Sequence, residues 1–310
     1  MKIANPIYDA AFKYLMEDTE IAKALIGKII KEEIVELTLK PREVQHQSDK
    51  YIVVILRVDF KAVIKTKEGT YKNVLIEIQK GKKNEDILRF RKYLAANYKK
   101  EDVIKNDKGE EEKRVLPIIT IYFLGFPLKN IKTPVVRTKR NYEDLVTDLS
   151  FEKKEDFIEQ LTHDTFVIQI PRLEQEERAE IEGVLKVFNQ DYKLSDDKRL
   201  VELSDDDLNK YQLLKKIAQR LKRAASDEDV LAKMDLEDEV DNLIEKHIRE
   251  NQLLKETLEK KDKVLEKLNN EKISAVKSLI ISTNLTDEQI SAIQKMDIKI
   301  VEVLRKDSKK

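Results

Sequence analysis

The sequence predicts an α/β fold, a mixed central sheet flanked by helices, followed by an all-helical C-terminal region. Three observations predict it. Short β-branched and apolar runs recur up to about residue 175, as strands do. Segments with apolar residues at helical spacing alternate with them. Beyond that point only helical spacing is left.

In chain order, Ala11, Phe12 and Leu15, then Ile21, Leu25 and Ile29, give one or two opening helices. IVELTLK (34–40) reads as a short strand. The long run YIVVILRVDFKAVIKT (51–66), the turn KEGTYKN and the strand VLIEIQ form a hairpin signal around Gly69. DILRFRKYLAANYKK (86–100) places Ile87, Phe90, Leu94 and Tyr98 on one helical stripe. KNDKGEEEK (105–113) reads as a polar loop, VLPIITIYFLGF (115–126) as a central strand, and TFVIQI (165–170) as another strand closed by Pro171.

RAEIEGVLKVFNQ and LNKYQLLKKIAQRLKRAA are amphipathic helices, the second opened by Ser204 as N-cap. From 236 to 275 a coiled coil is expected. Leu236, Val240, Leu243, His247 and Leu254 keep coiled-coil steps, and Leu258, Leu265 and Leu268 resume after a four-residue stutter. Glu250, Thr257 and Lys261 interrupt the seam and leave intramolecular packing as the alternative. Two short helices close the chain, with a capping-box pattern at Thr286 and Gln289. The expected organisation is a core at 1–175, a helical connector at 176–235, the long helix or coiled coil at 236–275, and short C-terminal helices at 276–310.

Lys and Arg total 60 and Asp and Glu total 60, so overall charge neither favours nor excludes a nucleic-acid partner. The absence of cysteine rules out disulfides and thiolate zinc sites. No apolar segment is long enough to cross a bilayer and the opening residues do not resemble a signal peptide, so a cytoplasmic location without membrane contact is expected. His46, His163 and His247 are scattered, and no P-loop or dinucleotide fingerprint is present.

The chemistry gathers in the hairpin. A three-residue turn at 67–69 sets residue 59 opposite residue 77, and cross-strand neighbours stand about 5 Å apart. Asp59 and Glu77 then need a proton or a cation between them, and Mg²⁺ suits two carboxylates plus waters. Gln79, two residues along on the same face, is placed to hold a metal-bound water, and the Ile78 carbonyl is a further oxygen ligand. The competing reading pairs each acid with a cation such as Arg57 or Lys61. Lys80, Lys82 and Lys83, and the basic stretch KNIKTPVVRTKR (129–140), offer phosphate contacts or simply solvated surfaces.

Four features in order, YDAAFKYLM (8–16), RVDF (57–60), LIEIQ (75–79) and Arg89-x-x-x-Tyr93, resemble the PD-(D/E)XK nuclease superfamily. Within it the chain is most similar to the recombination-promoting nuclease (Rpn) and transposase-like branch. The resemblance implies a restriction-endonuclease-like core and a Mg²⁺-dependent DNA endonuclease, with Mn²⁺ as a possible substitute. It implies Asp59 and Glu77 as metal ligands and Asp9 as an auxiliary acid beside the metal, with Lys13 one turn later. The bland alternative puts Asp9 and Lys13 on an exposed helix face. Gln79 stands where the superfamily usually has Lys. Arg89, with Tyr93 one turn on, would bind the scissile phosphate or else pair with Glu77 in the resting site. Double-stranded DNA and a homodimer are the expected partners. A catalytically weakened nuclease fold that binds DNA or a coiled-coil partner is the alternative.

Overall fold

A computed structural model describes residues 1–40, 43–48, 52–57, 59–80, 84–106, 108–151, 155–173 and 179–308. The elements run β1 (Lys2–Ala4), α1 (Asp9–Met16), α2 (Thr19–Ile30), β2 (Ile34–Leu39), β3 (Glu43–Ser48), β4 (Ile52–Arg57), β5 (Phe60–Thr66) and β6 (Tyr71–Gln79). Then come α3 (Asn84–Tyr98), β7 (Asp102–Lys105), β8 (Glu111–Arg114), β9 (Ile118–Leu124), β10 (Val135–Thr138), β11 (Tyr142–Glu143), β12 (Ser150–Phe151), α4 (Asp156–Leu161) and β13 (His163–Gln169). The chain closes with α5 (Glu180–Leu185), β14 (Leu200–Glu202), α6 (Asp205–Lys210), α7 (Gln212–Ala224), α8 (Glu228–Ser282), α9 (Asp287–Gln294) and α10 (Ile298–Asp307).

The central sheet has six strands in the order β10-β13-β9-β6-β5-β2, with β13, β9 and β6 mutually parallel and the remaining neighbours antiparallel. It is therefore mixed. Alternation along the strands divides its residues between two faces. Phe60, Ile64, Ile76, Ile121, Phe123 and Ile168 turn to the principal core, which also holds buried residues of α1, α2, α5 and α7. At its centre the Phe123 ring lies 5.9 Å from Phe12 and 4.5 Å from Phe188. The opposite face carries Leu75 and Ile118, covered by Phe90, Tyr93 and Leu94 of α3.

The β5–β6 hairpin forms in the expected register. Phe60 pairs with Ile76 and Lys65 with Tyr71, around a turn in which Gly69 takes a φ of 82° that favours glycine. The preceding run differs from expectation. It is divided between β5 and β4, which pairs with β3 in a separate two-stranded sheet. Asp59 thus occupies a bend just before β5 instead of a strand interior. The polar segment after residue 101 also folds, as the β7–β8 hairpin, because Ile104 is buried beside Val63 and Leu116. The helix expected across 208–225 is two, broken at Tyr211. That ring lies against Gly183, where an added Cβ would stand 2.1 Å from a ring carbon.

Two compact units partition the chain, Met1–Asp238 and Glu239–Lys310. In the first, β1 pairs with β14, and Val184, Leu185, Ile217 and Leu221 join the principal core. The second packs Val276, Ile290 and Val301 into a small core of its own, with the Thr286–Gln289 capping box formed. Along α8, Leu243, Leu254, Leu258 and Leu265 are exposed. Among the described residues no helix is long and apolar enough to cross a membrane.

Gly183→Ala is expected to destabilise the first unit by about 1–3 kcal/mol through overpacking on Tyr211. Adding Tyr211→Ala should recover part of the loss. Denaturant unfolding of the two single variants and the double variant measures that coupling.

Candidate functional site

Asp59 is held at the open end of the hairpin, where its Oδ2 accepts a hydrogen bond from the Ile78 amide at 2.6 Å. The paired register ends at Phe60–Ile76, and Asp59 stands in the bend just before it. The Glu77 carboxylate is 1% exposed, and Arg89 of α3 reaches it from a side chain that is 52% exposed, Nη2 to Oε1 at 2.5 Å. Burial raises the Asp59 carboxyl well above the usual range, and the neighbouring charges of Glu77 and Asp9 raise it further. The Ile78 amide and Arg89 oppose that shift. The three acids therefore share one electrostatic neighbourhood.

Gln79, at the end of β6, is buried and its Nε2 has no hydrogen-bond partner. Asp9 opens α1. One of its oxygens takes Lys13 and the other, buried, has no partner. The main chain at the start of that helix is bound by a residue far along the sequence, for Glu237 accepts from the Asp9 amide at 3.0 Å and the Ala10 amide at 2.8 Å. Lys80 lies 3.2 Å from the same carboxylate and 4.4 Å from the centre of the Tyr8 ring, whose hydroxyl donates to Asp238. A cleft of about 440 Å³ beside this contact is lined by Asp9, Lys13, Tyr14, Lys233 and Glu237.

The remaining candidates separate. Tyr93, expected beside Arg89 at a substrate, is wholly enclosed with Leu75 and Phe90, and burial pushes its phenol up to about 12. The buried stripe of α3 runs through Phe90, Tyr93, Leu94 and Asn97, while Ile87 is exposed. Lys61 does not serve the acid pair: its amine donates to Asn97 at 2.6 Å. Lys82, Lys83 and the Arg57 side chain lie outside the described residues. Glu237 and Tyr8 were not singled out from sequence, since nothing local links positions 228 residues apart.

No family model, curated protein or solved structure matches this chain. Chemistry has to be judged from the geometry. Among the described residues no group of three or more His, Cys, Asp or Glu side chains forms a ready metal cage. Mg²⁺ does not require one, since it is held by one or two carboxylates with waters and substrate oxygens filling its octahedron. Asp59 and Glu77, with the Ile78 carbonyl between the positions of Glu77 and Gln79, fit that demand. The raised Asp59 carboxyl and the unpaired Asp9 oxygen mark a place where positive charge is stabilising.

A pH dependence follows. Because the folded-state Asp59 titrates above its unfolded value, its stability contribution is full below the ordinary carboxylate pKa and is lost as pH rises through the folded value. Asp59→Asn should therefore gain stability relative to wild type as pH rises from the acid side of the carboxylate range to neutrality, in EDTA. Thermal unfolding across that range tests this, and a difference that is flat with pH would contradict it.

Proposed function

We propose that the chain is a Mg²⁺-dependent endonuclease that hydrolyses phosphodiester bonds of double-stranded DNA. The observation that carries this reading is the convergence of Asp59, Glu77, Asp9 and Arg89 at the end of β6. Support comes also from the ordered motifs that resemble the Rpn branch of the PD-(D/E)XK nucleases, with the mixed sheet read as a restriction-endonuclease-like core. Asp59, Glu77 and the Ile78 carbonyl would hold the ion, with Mn²⁺ an acceptable substitute. When bound there, the ion would activate a water and stabilise charge on the transferring phosphoryl group.

The residues of the chain do the rest. The Gln79 amide, buried and without a partner, holds and orients the attacking water. Arg89 leaves Glu77 for the scissile phosphate, where two N–H groups of one guanidinium can meet two oxygens. Lys13 pairs with the Asp9 carboxylate and directs it. Lys80, with Lys82 and Lys83, contacts the flanking backbone. A cytoplasmic homodimer, joined through a coiled coil at 236–275, goes with this reading because cutting both strands requires two sites.

One observation favours a second reading. Arg89 and the Ile78 amide already satisfy Glu77 and Asp59 without a metal, and Gln79 carries no charge. A fold weakened in catalysis that acts by binding DNA or a coiled-coil partner is consistent with that closure.

Purified protein with Mg²⁺ or Mn²⁺ is expected to nick or cut plasmid DNA. Glu77→Ala should abolish the activity, and Arg89→Ala should reduce its rate by about 10²–10³-fold, as for loss of one transition-state donor. Calorimetric titrations with Mg²⁺ and with duplex DNA accompany the assay. DNA binding with neither Mg²⁺ heat nor cutting selects the second reading, and absence of both Mg²⁺ heat and cutting refutes the metal-dependent reaction.

A further inference from the structure

The parallel strands β6, β9 and β13 end side by side, in register at Gln79, Leu124 and Gln169. All three residues point to one face of the sheet and are buried. The two glutamines flanking Leu124 have opposite fates. Gln79 Nε2 has no partner, whereas Gln169, 0% exposed, is saturated. Its Oε1 accepts from the Leu128 amide at 2.6 Å, and its Nε2 donates to the carbonyls of Thr133 at 2.7 Å and Ile131 at 3.3 Å. The Gln169 amide donates to the Pro134 carbonyl at 2.7 Å. One buried residue thus grips the segment 128–134 at four points.

The start of that loop is fixed to the candidate site. The Gly125 amide donates to the Gln79 carbonyl at 2.7 Å. Gly125 also approaches Lys80 so closely that an added Cβ would stand 2.4 Å from the Lys80 carbonyl oxygen. Despite this anchoring, Lys129, Asn130, Ile131 and Lys132 are exposed.

The topology also divides the basic run that the loop begins. Strand β10 is antiparallel to β13 and carries the chain away from the edge where Gln79 lies. Arg137 and Arg140 then bond to Asp164, toward the other end of β13, at 2.9 and 3.0 Å. Lys129 and Lys132 are the cations of the run that stay at the edge of the site.

Surface connections are ordinarily mobile. A lysine-bearing loop held from beneath by a buried side chain is pre-ordered, so binding an anion there does not first require ordering the loop. We propose that segment 125–134 is a rigid rail for nucleic-acid phosphates, with Lys129 and Lys132 as its contacts and Gln169 as its positioning residue. The inference rests on the reading of DNA as substrate and adds where its flanking backbone lies. Two strand spacings separate β6 from β13, roughly 10 Å. The rail therefore meets phosphates flanking the one addressed at Asp59 and Glu77. Such contacts fix the register of the duplex without reading its sequence.

Binding of the full chain to a short DNA duplex, measured in EDTA over a series of salt concentrations, tests this. Each phosphate contact contributes about 0.9 to the slope of log K against log salt. Lys129→Ala with Lys132→Ala should flatten the slope by about 1.8 while leaving thermal stability unchanged, because both side chains are exposed. Gln169→Leu retains both lysines and should weaken binding, yet add no further loss in the triple variant. A purely structural role would add its loss in full. A wild-type slope retained by the lysine variant overturns the rail and leaves DNA binding standing. Failure of wild type to bind DNA overturns both.

Discussion

Glu77 is the constraint on which the rest of the site depends. A carboxylate 1% exposed needs a partner, because an uncompensated buried charge is worth several kcal/mol of destabilisation. Arg89 is such a partner, so α3 must cross that face of the sheet, and it does so by burying Phe90, Tyr93 and Leu94 on Leu75 and Ile118. The hairpin register matters as much. A slip of one residue would turn Glu77 toward the face that holds Phe60 and Ile76, among wholly apolar neighbours. The turn at Gly69, far from any chemistry, is in this sense part of the site.

Much of this was legible in the sequence, and the reasons for success and failure are physical. The β5–β6 register follows from period-two alternation and a short turn, both local, so it could be worked out before any coordinates. Helix caps at Ser204 and Thr286 were equally local. The face of α3 was misjudged because Ile87 looks apolar while Tyr93 carries a hydroxyl, yet the helix is covered only along the line that meets Leu75 and Ile118. The β7–β8 hairpin was hidden by its charged outer residues, since a narrow edge ribbon needs few buried side chains to hold it. The pairing of β1 with β14 joins strands of three residues from opposite ends of the first unit, which no pattern in either can announce.

The same distance governs α1. Its first amides are satisfied by Glu237, so the orientation of Asp9 depends on a residue 228 positions later. Contacts of such separation carry a large chain-closure entropy and are slow to form. The acid cluster is thus completed only when the beginning and the end of the first unit have come together. A chain still lacking its last part has the hairpin and its two carboxylates but not the anchored helix beside them.

The Arg89–Glu77 pair is lopsided, with the cation half in water and the anion almost wholly out of it. An approaching anion meets Arg89 without entering the core, because the guanidinium stands half in water. In the proposed reaction, a cation settling on Glu77 would compete with Arg89 and favour its turning toward an anion. The two events are linked by a single coupling free energy, which changes both affinities by the same factor. Under the proposed metal-dependent reaction, a pair that looks like a closed latch would act as a two-way thermodynamic coupling between the cation and the anion.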